Sequence, residues 1–291
     1  MRFLITGASG QLGAYLLRVL KEQGREVIAW SGSRTGSLLG VPLRPVDLAD
    51  PDGVARAFGA ARPDVVIHAA AMANVADCRR DPQRAEQVNI DGTARLAEWA
   101  DRMRARLLLV STDLVFDGEK GWYTETDTPA PLSIYGRTKL AAEQAVLATP
   151  RGAVARVSLL FGPTLAGRPS FFDEQLAALR ERRPLHLFAD EWRTPLALLI
   201  AAQALAALAV SDFTGLIHLG GPERLSRLEM GQRLAAALGL DPSVIVPAAR
   251  ASFPAAEPRP RDVSLDSSRW RSLFPAQPWP DWDEALGEMM P

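Results

Sequence analysis

The chain has a single cysteine, Cys78, among its 291 residues. That excludes an intrachain disulfide framework and supplies no Cys-x-x-Cys metal cluster, and a reducing cytoplasm is the expected compartment. The charge is balanced as well: 33 Lys and Arg stand against 34 Asp and Glu. A net charge of −1 gives no support to a nucleic-acid partner or an anionic membrane surface. Long apolar runs are scarce. Residues 195–210 form the most apolar stretch, but Gln203 interrupts it and it falls short of the roughly 20 residues a bilayer span needs. It is expected to be a buried helix. The first residues look like a strand, not a charged-then-apolar leader, so no signal peptide is expected. Histidine is rare too. His68, His186 and His218 lie far apart and each flanks apolar strand residues, so they are expected to be structural, and no metal site is expected. Cys78 has arginine neighbours, Arg79 and Arg80, that would favour its thiolate, but no catalytic partner is visible. What remains is 47% hydrophobic, enough for a large core in one domain or one and a half.

Only three tyrosines are present, and one of them is the most informative residue in the chain. Tyr135 and Lys139 sit four apart at the head of a helix-forming run, Leu140-Ala141-Ala142-Glu143-Gln144. That spacing puts both side chains on one helical face, one turn apart. An ammonium beside a phenol favours phenolate, so the Tyr135 pKa is expected to fall and the phenol to exchange protons near neutral pH. The N-terminus supplies a second feature. Arg2-Phe3-Leu4-Ile5-Thr6 is a short strand, Gly7-Ala8-Ser9-Gly10-Gln11-Leu12-Gly13 follows, and a helical pattern begins at Ala14. Strand, glycine turn and helix are the context of a dinucleotide site. Gly7 permits the tight turn, Gly10 lets backbone approach a pyrophosphate, and Gly13 lets helix and strand pack closely.

The rest of the first half alternates. Strands are expected at 26–30, 64–68, 106–110 and 153–158, with helices at 51–60, at 82–103 and after Tyr135. Short apolar strands between helices predict an α/β fold, a Rossmann-like doubly wound parallel sheet. Ligands bind such sheets at the carboxyl ends of the strands, where Gly7, Ala69, Thr112 and Leu160 all fall. The pattern changes near residue 160. Helices are expected at 170–183, 195–210 and 226–238 and strands at 184–188 and 215–219, followed by a Pro-, Arg- and Asp-rich tail from Pro254. The expected organisation is a dinucleotide-binding domain over 1–160 and, over 161–291, mainly a smaller substrate-binding lobe partly interleaved with the sheet.

These residues resemble the extended short-chain dehydrogenase/reductases, and within them the dTDP-4-dehydrorhamnose reductase branch. The resemblance runs nearly end to end. It rests on Gly7-x-x-Gly10-x-x-Gly13, His68-Ala69-Ala70-Ala71, Val88-Asn89-Ile90-Asp91-Gly92-Thr93, Ser111-Thr112-Asp113-Leu114-Val115-Phe116, Tyr135-x-x-x-Lys139, Arg193-Thr194-Pro195 and Arg261-Asp262-Val263-Ser264-Leu265-Asp266. It implies a nicotinamide cofactor and a nucleotide-linked 4-keto sugar. Tyr135 would then donate a proton to the substrate oxygen, Thr112 would orient the carbonyl, and Lys139 would hold the nicotinamide ribose. The cofactor would lie along Gly7, Ser9, Gly10, Gln11, Leu12 and Gly13, against Ala69, Ala70 and Ala71, with Asp47 and Leu48 at the adenine edge. Asn89 would support the site through its helix, or is simply a polar helix residue. The substrate would meet Asn74, Asp113, Leu159, Trp192, Arg193 and Arg261, the two arginines being candidates for its diphosphate. Trp192 offers an aromatic surface or belongs to the core.

Charge argues for the cofactor. The second strand ends Ala29-Trp30-Ser31-Gly32-Ser33-Arg34, with no carboxylate to hold a ribose 2′-hydroxyl. Ser31, Ser33 and Arg34 suit a 2′-phosphate, so NADPH is expected to be preferred, with NAD possible. Thr112 is followed by Asp113-Leu114, where related dehydratases carry Asp-Glu, so elimination lacks its general base and reduction is favoured. Epimerisation is less well excluded. Leu114 and Leu159 stand where the rhamnose-forming enzymes have aromatics, so the keto-sugar could differ. Two other readings stand beside reduction: a nucleotide-sugar epimerase, and an NADP-binding, partner-binding module like the beta subunit of methionine adenosyltransferase. A homodimer is compatible with either.

Overall fold

The fold was described from a computed structural model, for residues 1–253, 255 and 257–289. Pro254, where the proline-rich tail begins, lies outside the described residues. Strand β1 (Arg2–Thr6) leads into α1 (Gln11–Glu22), and β2 (Glu26–Ser31), β3 (Ser37–Leu38) and β4 (Val41–Pro45) follow. After α2 (Pro51–Ala61) come β5 (Val65–His68), α3 (Val75–Arg80) and α4 (Pro82–Glu86). Then α5 (Gly92–Arg102), β6 (Arg106–Thr112), α6 (Ile134–Leu147) and β7 (Gly152–Val157) complete the first half.

The main sheet has the order Gly215–Leu219, β7, β6, β5, β1, β2, β4, β3. Every pair is parallel except β3 with β4. The chain runs outward from β1 in both directions, so the carboxyl ends of β1 and β5 flank a topological switch point. A ligand crevice opens there because the crossovers diverge. Strand alternation builds the two faces. Phe3, Ile5, Leu108 and Val110 face one buried cluster with α1 and the helix Leu198–Val210. Leu4, Leu107 and Leu109 face a second with α2, α5 and α6. Burial on both faces is why these strands read as continuous apolar runs.

The second half contributes to the first. Strand Gly215–Leu219 pairs with β7 at the sheet edge. Helix Leu198–Val210 is apolar on all sides and packs on α1, as its composition demands. Three two-stranded pairs complete this half: Leu160–Phe161 with Leu196–Ala197, Trp192–Arg193 with Leu225–Ser226, and Leu185–Phe188 with Ile245–Ala248. Helices Phe171–Arg180 and Arg227–Ala237 each start in a reciprocal capping box, from Ser170 with Asp173 and from Ser226 with Glu229.

Two local features differ from the sequence reading. The expected long helix over 82–103 is interrupted by a π-helical segment, Gln87–Asp91, and is preceded by the unexpected α3. The widened turn places Asn89 inward, 1% exposed. Its amide accepts from Met72 N at 2.8 Å and donates to Met72 O at 3.1 Å and to Thr138 Oγ1 at 3.0 Å. Asn89 thus ties the segment after β5 to α6. It does not line the crevice at the switch point.

Candidate active site

The glycine turn after β1 is built for close backbone approach. Gly7 has φ +70°, a conformation costly for other residues. A Cβ on Gly13 would fall 2.2 Å from the Gly7 carbonyl oxygen, so only glycine fits where α1 passes under β1. Gly10 is the N-cap of α1 and has no side chain to cap it, which leaves the first amides of that helix free for an anion. Beside them opens a cavity of about 580 Å³. Gly7, Ser9, Gly10, Gln11, Leu12 and Gly13 line one wall. Ser31, Ser33, Asp47 and Leu48 line another, and Ala69, Ala70 and Ala71 close the β5 side.

A charged lining residue escaped the sequence reading. Arg84, on α4, faces this cavity and holds Asp47 through both carboxylate oxygens at 2.8 Å. The Asp47 carboxyl is kept below the usual range: burial pushes it up, but the Arg84 bond and the Ala49 amide outweigh this. The pairing spans 37 residues and carries no local signal. Arg34 behaves differently from the expectation. It does not line the cavity; its guanidinium donates to the Ala166 carbonyl at 2.7 Å. Ser31 is buried, and its hydroxyl donates to the Arg34 carbonyl.

A second cavity, of about 340 Å³, shares Leu12, Ala69, Ala71 and Ala73 with the first. The two form one crevice running from the glycine turn to the end of β6. Thr112, Tyr135 and Lys139 line its far part, with Asp113, Leu114 and Leu159 beside them. The placement has simple causes. Thr112 is the last residue of β6, and its Oγ1 accepts from Leu114 N at 3.2 Å to turn the chain. Ser133 caps α6 by accepting from Gly136 N at 3.0 Å, which sets Tyr135 in the first turn and Lys139 one turn on.

The electrostatics reverse one expectation. The Tyr135 pKa lies above that of a free phenol. Burial is the largest cause and the Asp113 carboxylate adds to it, while a hydrogen bond with Thr112 works the other way. Lys139 is itself 2% exposed, and burial brings its pKa down to about 8, against an opposing pull from Glu143. Burial and Asp113, and not Lys139, therefore set the pKa of the phenol. Tyr135 keeps its proton at neutral pH. The Asp113 carboxyl is raised by burial, in part offset by Arg193, Ser158 and Thr112. Its oxygens accept from Thr112 Oγ1 at 3.2 Å and Ser158 Oγ at 3.2 Å.

Several substrate candidates sit elsewhere. Arg193 reaches the crevice but is 6% exposed and paired with Asp113 at 3.5 Å and Glu191 at 3.4 Å, so its charge is largely compensated. Arg261 is exposed and lines none of the described cavities that adjoin the crevice; its carbonyl accepts from Trp192 N at 2.8 Å. Trp192 stacks under the Arg224 guanidinium, 4.7 Å from the ring centroid, away from the crevice. Asn74 caps α3 by accepting from Asp77 N at 3.1 Å. Instead, Arg227 and Arg259 line an adjoining chamber of about 370 Å³, with Glu191 and Glu257.

The rare residues resolve as structure. Cys78 is buried, donates to the Met72 carbonyl at 3.0 Å, and has its pKa pushed up to about 11 by burial, so the thiolate favoured by its arginine neighbours does not form. His68 is fully buried and held neutral, with its pKa down at about 3. Thr93 Oγ1 donates to the Asn89 carbonyl at 2.6 Å, so it accepts from His68 Nε2 at 2.9 Å, while Thr6 Oγ1 donates to Nδ1 at 2.6 Å. Among the described residues, no three His, Cys, Asp or Glu side chains group as a metal site, and no helix is long and apolar enough to cross a membrane.

A doubly wound sheet, a glycine turn at its switch point and a Thr, Tyr and Lys constellation beyond it define an extended short-chain dehydrogenase/reductase. The family model for the RmlD substrate binding domain matches residues 1–291, and the chain belongs to that family. It is 33% identical over 292 residues to the dTDP-4-dehydrorhamnose reductase of Mycobacterium tuberculosis, covering 98% of this chain and 91% of the relative. A crystal structure of a hypothetical dTDP-4-dehydrorhamnose reductase from Sulfolobus tokodaii superposes with a TM-score of 0.86 at 31% identity, covering 98% of this chain and 99% of that one. The subunit beta of methionine adenosyltransferase 2 from Pongo abelii is 30% identical over 286 residues, covering 94% of this chain and 82% of the relative.

Proposed function

We propose that this protein is an NADPH-dependent reductase of the 4-keto group of a nucleotide-linked deoxysugar. One observation carries the reading: the cavity beside the glycine turn adjoins, across Leu12, Ala69, Ala71 and Ala73, the one lined by Thr112, Tyr135 and Lys139. The bound nicotinamide would supply the hydride. The protein supplies position and charge. The α1 amides face the pyrophosphate, and Lys139 holds the ribose while it is charged. Thr112 orients the carbonyl, turning its hydroxyl from Asp113 to the substrate oxygen. Tyr135, held protonated, delivers its proton to that oxygen as negative charge grows there. Asp113 serves the site through Thr112 and Arg193. In this reading residues from 161 onward form mainly the substrate side, and Arg259 in the adjoining chamber takes the phosphates in place of Arg261, Arg227 there being paired with Glu191 at 3.0 Å. Leu114 and Leu159 give the sugar pocket an apolar wall without a stacking face.

The absence of a carboxylate at the end of β2 supports NADPH over NADH. Ser33, which lines the cavity there, is the side chain placed to meet a 2′-phosphate. The ratio of kcat/KM for the two coenzymes should favour NADPH by at least about tenfold, since one charge-assisted phosphate contact is worth roughly 1.5–3 kcal/mol. A ratio favouring NADH would remove the Ser31 to Arg34 loop from this role. The substrate class is tested with dTDP-, UDP-, GDP- and CDP-linked 4-keto sugars, following NADPH absorbance. Consumption with at least one is expected. Tight NADPH binding with no consumption across the panel, together with a co-purifying protein, would favour a partner-binding module.

A further inference from the structure

Behind the catalytic helix lies a buried ionic cluster that meets the crevice only at Ser111. Glu143 follows Lys139 by four residues on α6 and is 1% exposed. Their Cβ atoms are therefore about 5–6 Å apart on one face. Arg156, on β7, clamps Glu143 with Nε to Oε1 at 3.0 Å and Nη2 to Oε2 at 2.7 Å. Ser111, on β6, donates to Oε1 at 2.5 Å. Arg156 is held from behind by the Phe116 ring at 5.1 Å and by His218 Nε2 at 3.5 Å. His218 donates through Nδ1 to the Tyr123 carbonyl at 2.9 Å, so Nε2 presents a lone pair to the guanidinium. A carboxylate held by both Arg156 and Ser111 cannot swing toward or away from its neighbour on the helix.

We propose that Glu143, held by Arg156 and Ser111, is a positioning residue that sets whether Lys139 is charged when the cofactor binds. Glu143 makes its ion pair with Arg156, at 2.7 Å, and acts on Lys139 by its charge from one helical turn away. That pull is too small to cancel the cost of burying Lys139, whose pKa sits at about 8. The other groups around this helix face are accounted for. Tyr135 on α6 is a neutral phenol. His68 on β5 and His218 are both neutral. Cys78 on α3 is a neutral thiol. Asp113, at the end of β6, pairs with Arg193 at 3.5 Å and is not among the groups that shift Lys139. Glu143 is thus the carboxylate that acts on Lys139. Below about pH 8 the ammonium persists and can donate to a ribose hydroxyl; above it the lysine is neutral and that contact weakens.

The inference rests on the NADPH reading, and its test separates the two. NADPH affinity is measured by fluorescence titration from pH 6 to 10 on the native protein, Glu143→Gln and Arg156→Gln, with a thermal melt to show that each is folded. The native protein should lose affinity roughly tenfold above a midpoint near pH 8. Glu143→Gln removes the carboxylate and should move that midpoint down by about one pH unit. Arg156→Gln removes the cation paired with it and should move it up by about one pH unit. Opposite displacements cannot come from a general loosening of the fold, and either folded variant alone gives a signed result. Binding by the native protein with midpoints unmoved, or moved the same way by both variants, would overturn the Glu143 assignment. No NADPH binding at any pH would overturn the cofactor reading instead.

Discussion

Tyr135→Phe lowers turnover by roughly 10²–10⁴-fold while NADPH affinity stays within a few-fold of the native protein. The phenol hydroxyl is the only atom lost, and the ring that packs against the crevice wall is retained. In the reduction direction the developing alkoxide needs a proton, and Tyr135 holds one because burial and Asp113 keep it from ionising. The loss should appear equally in kcat and kcat/KM, since the donated proton stabilises the transition state and not the bound ketone. Steady-state kinetics with the best keto-sugar, paired with a cofactor titration, checks this. A variant within tenfold of native turnover would mean that another acid delivers the proton.

The second large effect is on binding. Gly13→Ala is expected to weaken NADPH affinity by roughly tenfold to a hundredfold. The added carbon would lie 2.2 Å from the Gly7 carbonyl oxygen and 2.7 Å from Ala8 Cα, both backbone atoms that no rotamer change can clear. Relief requires α1 to move off the turn, at an overpacking cost of about 1–3 kcal/mol, which corresponds to about five- to 150-fold in affinity. The same shift carries the α1 amides away from the pyrophosphate. Isothermal titration measures the affinity, and a melting curve separates local displacement from unfolding. Unchanged affinity would show that the turn does not hold the cofactor.

The parts of the site that the sequence revealed are those set by short-range rules. The turn from β1 to α1 is coded by three glycines within seven residues, and the Tyr135 and Lys139 pair by helical spacing. The strands were legible because each is a short apolar run between breakers. What stayed hidden depends on partners far along the chain. Arg193 looked like a free cation because Glu191 and Asp113 compensate it only in three dimensions. Arg84 joined the cofactor wall through Asp47, 37 residues away. The Tyr135 pKa ran opposite to the pairwise argument because burial, a property of the whole crevice, and Asp113 set it, while Lys139 is not among its causes. The π segment around Asn89 has no propensity signal; it is stabilised by what Asn89 meets, Met72 and Thr138.

A ketone held by Thr112 is expected to receive hydride from the cofactor and a proton from Tyr135 in one crevice. The most direct measurement uses NADPH deuterated at the transferring position and a nucleotide-linked 4-keto sugar, with the product read by mass spectrometry. Deuterium on the former keto carbon is expected with the native protein and only trace label with Tyr135→Phe. NADPH bound tightly with no label in any product, across all four nucleotide classes, would contradict the account.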